Sequence, residues 1–189
     1  MARLVALALL SFCLSSCIFG VFAAGAAAGG AVLYDKRTIP EQIHDKDLRQ
    51  RIQVRITNDA DLAQHSHISV AAFNRVVLLV GQAETEEYKN RAFQAAQAVA
   101  GSKRIYNEIV VTHSVSYVIR TDDDWITTKV RTTLLNTYNL RSSDIKVVTE
   151  DGIVYLMGTV TQRQAQMAAD SARHVDGVRK VVTIFEYQP

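Results

Sequence analysis

Ile153-Val154-Tyr155-Leu156-Met157-Gly158-Thr159-Val160-Thr161 is the stretch whose reading decides the fold. Its first five residues are an unbroken apolar run of strand length, and Gly158 closes that run. Thr161 then opens a capping box with Gln164, the signature of a helix start. Before that run, residues 145–149 read as another strand, and Glu150-Asp151-Gly152 between the two reads as a hairpin turn. The helix begun at Thr161 is expected to end at Gly177, with a last strand over residues 178–186. Before all of these, Ile126, Val130, Leu134 and Thr137 fall at i, i+4, i+8 and i+11, the spacing by which a helix covers a core. Asp122, Asp123 and Asp124 are expected to cap its start. The order is α-β-β-α-β.

The same order occurs earlier. Leu48, Ile52 and Ile56 share one helix face, residues 67–73 and 76–80 are apolar runs, and Gly81 ends the second. A helix over residues 85–100 stops at Gly101, and a strand follows over residues 104–111. Leu79-Val80-Gly81 matches Leu156-Met157-Gly158 at a spacing of 77, and Val99-Ala100-Gly101 matches Val175-Asp176-Gly177 at 76, so one unit is present twice. The fold class is α+β, each unit a three-stranded sheet with two helices packed on one face. The units are expected over residues 45–112 and 123–189. The segment between them carries Val115, Tyr117, Val118 and Ile119, and is expected to pack.

The leader is different in kind. Arg3 is the sole charge before Asp35, and residues 4–12 make an apolar core of signal-peptide length. Leu14-Ser15-Ser16-Cys17 resembles the bacterial lipobox. That motif implies a signal peptide over residues 1–16, diacylglyceryl transfer to Cys17, and an N-acyl chain, typically palmitate, on the new amine. Ile18 follows Cys17 where an aspartate would favour the inner membrane, which implies the outer one. A membrane-spanning helix over residues 4–34 is the competing reading, but Gly20, Gly25, Gly29 and Gly30 break it and alanine dominates its second half. Acyl chains contribute ~0.8 kcal/mol per buried CH₂, so they would hold the protein on a bilayer without help from the folded part. Residues 17–44 read as acylated cysteine and tether, with Pro40 stopping any helix there.

The helix starting near Trp125 has more apolar surface than its domain needs. Trp125 and Leu135 lie off the core stripe, with Thr128, Thr132 and Asn136 between or beside them and Lys129 and Arg131 flanking. An aromatic and an aliphatic tip between cations suit a lipid headgroup layer. The alternatives are that Trp125 packs against protein, and that the two cations pair with Asp122, Asp123, Asp124 or Glu150. The first helix of the earlier unit carries Lys46, Arg49, Arg51 and Arg55 but no aromatic, and Val54 is its one apolar residue clearly off the stripe. It reads as a solvated face.

The totals exclude several classes. A formal charge of +2 is too small for a nucleic-acid binder that works by net field. Both cysteines, Cys13 and Cys17, lie in the leader, so the folded part has no disulfide framework, thiol nucleophile or cysteine metal site. His65 and His67 alternate without a carboxylate or thiol at ligand spacing. There is no phosphate loop and no nucleophile elbow, so no enzyme, cofactor or metal is expected.

The repeated α-β-β-α-β unit, with its internal glycine and a second helix closed by Val99-Ala100-Gly101 or Val175-Asp176-Gly177-Val178, resembles the BON domain. Two such units behind a lipobox resemble the dual-BON outer-membrane lipoproteins, through Tyr106-Asn107-Glu108-Ile109, Trp125-Ile126-Thr127-Thr128-Lys129-Val130-Arg131 and Leu156-Met157-Gly158-Thr159-Val160-Thr161. Asp35, Arg37, Thr38 and Gln42 match as well. The resemblance implies a non-enzymatic protein on the periplasmic face of the outer membrane. It implies support of membrane integrity, enrichment at the division site, and association with the outer-membrane protein assembly machinery. It also implies binding of anionic phospholipid, phosphatidylglycerol or cardiolipin, through Trp125, Thr128, Lys129, Arg131, Thr132 and Leu135. An envelope scaffold, with lipid contact incidental, is the second reading. The interdomain segment departs from the family in being apolar rather than glycine-rich, which leaves the relative domain arrangement open.

Overall fold

The computed structural model describes residues 39–112 and 120–188. The first unit runs α1 (Ile39–Thr57), α2 (Ala60–Gln64), β1 (Ser66–Phe73), β2 (Val76–Ala83), α3 (Glu86–Gln97) and β3 (Arg104–Val111). The second runs α4 (Arg120–Asn136), a 3₁₀ turn (Ser142–Asp144), β4 (Ile145–Glu150), β5 (Ile153–Val160), α5 (Gln162–Arg173) and β6 (Lys180–Tyr187). The lipobox, Cys17 and residues 113–119 lie outside the described residues.

Each sheet has its middle strand antiparallel to the first and parallel to the last. The parallel pairing needs a crossover, which α3 and α5 supply over one face. On that face Leu48, Ile52, Ile56, Leu62, Ala92 and Ala96 form the first core, and Ile126, Val130, Leu134, Ala165, Ala168 and Ala172 the second. Thr85 and Thr161 cap α3 and α5, the latter through the complete capping box.

The middle strands explain the rest of the architecture. β2 and β5 are buried on both faces along most of their length. Their second faces meet in a third core, where Ala71, Phe73, Val76, Leu78 and Val80 pack with Tyr155, Met157 and Ile184. The two sheets therefore lie back to back with helices outside. Lys146 Nζ donates to the Ala72 carbonyl at 3.0 Å and Asn74 Nδ2 to Thr159 Oγ1 at 2.9 Å across this seam. Burial within it pushes the Tyr155 phenol up to about 12, with the Glu108 and Glu150 carboxylates adding to the effect. Residues 35–189 form one compact unit, and among the described residues its cores begin at Leu48.

Several local readings change. Pro40 lies in the first turn of α1 and does not stop it, because that turn needs no N–H from residue 40. The helix thus starts inside the stretch read as tether. Gly81 and Gly158 sit within β2 and β5, not at their ends. A Cβ would come within 2.0 Å of the His67 carbonyl oxygen at the first and 2.4 Å of the Asp144 carbonyl oxygen at the second. They are glycine so that the neighbouring strand can approach. α3 and α5 end at Gln97 and Arg173, and Gly101 and Gly177 lie in the turns beyond them at positive φ.

Candidate functional site

Three apolar side chains and one carboxylate on α4 are buried against its domain. Ile126, Val130 and Leu134 are buried against the sheet. Asp123, only 7% exposed, accepts the Asp151 and Gly152 N–H groups at 2.7 and 2.8 Å, gripping the β4–β5 hairpin turn. This corrects the capping expectation: α4 begins at Arg120, so Asp123 lies in its first turn and its acceptors are spent on another element. The earlier unit has the same device. Asp45, 5% exposed, accepts the Asn74 and Arg75 N–H groups at 2.7 and 2.8 Å.

With its inner face committed, α4 turns the expected contact residues outward. Trp125 is 64% exposed and Leu135 44%. They are ten residues apart, or about 15 Å along the axis, so the face is a long ridge rather than one spot. Thr128 and Thr132 lie between them, both exposed. Their hydroxyls donate to the Asp124 and Thr128 carbonyls at 2.9 and 3.0 Å. Each threonine thereby has its donor satisfied within the helix, and the ridge is less polar than its sequence suggests.

The two cations behave differently from an ion-pair reading. Lys129 Nζ donates to the Asp176 carbonyl, and Arg131 Nη2 to the Val147 carbonyl at 3.4 Å. Neither belongs to an ion pair among the described residues. A carbonyl orients a cation without cancelling its charge, so both remain positive poles beside the ridge. Asp122 and Asp124 are exposed near the Trp125 end and oppose them. Tyr138, just past the helix, is 84% exposed and was not singled out by periodicity, which ends with α4.

The counterpart helix α1 is built otherwise. Arg51 pairs with Asp47 at 2.9 Å and also donates to the Ala100 carbonyl, while Lys46, Arg49 and Arg55 are exposed. Ile43 and Val54 are its exposed apolar tips, with no aromatic among them. His65 stacks on Tyr88 at 5.0 Å, and its Nδ1 lies 2.8 Å from a Glu84 carboxylate oxygen. Among the described residues no group of three or more His, Cys, Asp or Glu is arranged to hold a metal.

A model of the BON domain matches residues 44–113 and again residues 122–189. The chain belongs to the BON domain family. This BON protein is 34% identical over 174 residues to "Outer membrane lipoprotein DolP" of Haemophilus influenzae, covering 92% of the chain and 90% of that relative. It is 36% identical over 153 residues to the "21 kDa hemolysin" of Actinobacillus pleuropneumoniae, covering 81% and 79%. Among solved structures, CdsD of the Chlamydia trachomatis type III secretion system aligns at 11% identity over 77% of this chain and 64% of that one. Its TM-score of 0.31 is too low to bear on the fold. No helix among the described residues is long and apolar enough to cross a membrane.

Proposed function

We propose that this BON protein is a non-enzymatic outer-membrane lipoprotein, acylated at Cys17, whose α4 ridge seats on anionic phospholipid headgroups at the periplasmic face. The observation that carries this is the exposure of Trp125 and Leu135 on a helix that has already buried Ile126, Val130 and Leu134. Inserting part of those two side chains contributes roughly 2–4 kcal/mol at ~25 cal/mol/Å². Lys129 and Arg131 add about 1 kcal/mol each near an anionic surface. The apolar term is the larger, so binding is expected to be only partly salt-sensitive. Because acyl chains already hold the molecule, the ridge sets orientation and headgroup preference, and through them support of membrane integrity. Recruitment to phosphatidylglycerol- or cardiolipin-rich division sites, and meeting the outer-membrane protein assembly machinery there, belong to the same reading.

The test uses residues 35–189, without acyl chains, because this is the compact unit and it keeps α1 whole. Co-sedimentation with phosphatidylglycerol vesicles is expected for the native fragment and not for Trp125→Glu, with unchanged thermal unfolding. Equal binding by the variant overturns the site. Capture of an assembly partner with no vesicle binding would favour the scaffold.

A further inference from the structure

The hairpin end of the first sheet carries one cation more than its duplicate and none of the duplicate's ion pairing. Arg75 closes the β1–β2 turn, and its carbonyl accepts the Lys103 N–H at 2.8 Å. Val76 then pairs with Arg104. Arg75, Lys103 and Arg104 are thus neighbours through the backbone, and all three are exposed. None of them has an ion-pair partner among the described residues. Asp45 lies beneath the turn, with its carboxylate accepting two of the turn's N–H groups.

The second unit has Asp151, Gly152, Arg179 and Lys180 where the first has Asn74, Arg75, Lys103 and Arg104. There Asp151 pairs with Arg179 at 2.8 Å. The second copy therefore offsets one of its two cations with an acid at the turn, while the first presents three cations with no ion pair among the described residues. The backbone makes the difference more pointed. Residues 75 and 152 both have φ near +67°, at 66° and 68°, a conformation suited to glycine. The second copy has glycine there, while the first holds an arginine in it.

The cations also border a concavity. Lys103, Arg104 and Tyr106 line a cleft of about 200 Å³ with Ile184, Phe185 and Glu186 from the other sheet. Arg104 is braced over the Tyr106 ring at 6.0 Å and donates to its hydroxyl at 3.1 Å. Bracing orders the guanidinium while most of its donors stay open. Glu186 lines the same cleft and offsets part of the Arg104 charge.

We propose that Arg75, Lys103 and Arg104 form an anion site that takes a phosphate-bearing ligand, separate from the α4 ridge. The Arg104 guanidinium and Lys103 ammonium at the small cleft, with Arg75 on the adjoining turn, suit a phosphoryl group, which accepts paired N–H donors from arginine. The phosphate can belong to a lipid headgroup or to a soluble phosphorylated molecule.

The test is amide chemical-shift mapping on residues 35–189 carrying Trp125→Glu, which disables the ridge. Inorganic pyrophosphate at low salt is expected to shift the amides of residues 75, 76, 103 and 104, and not those of 151 and 152. Arg75→Gly is the informative variant, because it removes a cation and relieves the backbone at once. It is expected to weaken pyrophosphate binding roughly tenfold with no fall in thermal stability. Phosphatidylglycerol vesicles on the same sample distinguish the sources: the same shifts with vesicles identify a lipid headgroup, and shifts with pyrophosphate alone identify a soluble ligand. Absence of shifts with both probes, or unchanged affinity in Arg75→Gly, overturns the site. Since the ridge is disabled throughout, neither result bears on whether the ridge binds lipid.

Discussion

Asp45 and Asp123 perform one task at matched positions of the two copies. Each is a nearly buried carboxylate on the first helix of its unit, and each receives two backbone N–H groups from the hairpin turn. Removing the Asp123 side chain strands the Asp151 and Gly152 N–H groups, the latter buried. Asp123→Ala is therefore expected to lower stability by roughly 3 kcal/mol, and Asp123→Asn, which keeps one acceptor, by about half that. Urea unfolding of both variants checks the ratio. This device was not legible in the sequence. Three consecutive aspartates before an apolar helix stripe look like a cap, and only the register of a turn 28 residues away distinguishes the two roles. What could have exposed it was the repeat itself: Asp45, at the corresponding position, lies between His44 and Lys46 and belongs to no acidic run.

At the scale of elements, the short helix α2 is tied to α3 by charge. Arg91 bonds the Asp59 carboxylate at 2.7 Å and also Asp61, while Asp59 caps α2 through the Leu62 N–H. The Leu62 N–H and then the Arg91 guanidinium hold Asp59 below its ordinary 3.8, and Arg91 is the main cause of the same shift at Asp61. Carboxyls depressed in the folded state contribute stability that is complete above their unfolded value and lost as pH falls through the folded one. Arg91→Ala should thus destabilise the protein at roughly pH 6, and its deficit against the native protein should shrink on descending below about pH 3. Urea midpoints at the two pH values decide it, and a deficit that does not change with pH would contradict the pairing. The larger elements were readable beforehand because periodicity, capping box and turn residues agree with the packing. α2 was missed because five residues carry too little period. Sequence ends the strands too soon at Gly81 and Gly158, because glycine is a breaker there and in the fold serves close approach of the neighbouring chain.

For the molecule as a whole, the seam between sheets decides whether there are two domains or one body. The unbroken apolar character of β2 and β5 was visible in sequence, but its meaning, burial on both faces, requires knowing what covers the second face. Leu78 is fully buried in that seam. Leu78→Ala is expected to cost about 2–5 kcal/mol. It should also lower hydrogen-exchange protection at Val182 and Ile184, which belong to the other unit. Undiminished protection there would mean the halves open independently. The outward disposition of Trp125 and Leu135 was legible for a related reason: a helix whose inner stripe is complete can only turn extra apolar residues away from its sheet. The constraint on Lys129 and Arg131 was not, since both are oriented by carbonyls of distant segments.

Counted from the two hairpin turns, the seam uses the same strand positions in both copies: Val76 with Ile153, Leu78 with Tyr155, Val80 with Met157, Tyr106 with Val182. A patch that meets its own counterpart is what an isologous pair of separate subunits would make. Separate subunits pair only when there are enough of them, and dilution undoes them. Joining the copies in one polypeptide replaces that bimolecular step by an internal one of fixed effective concentration. The sandwich therefore closes equally well in a cell that makes very few copies of the chain.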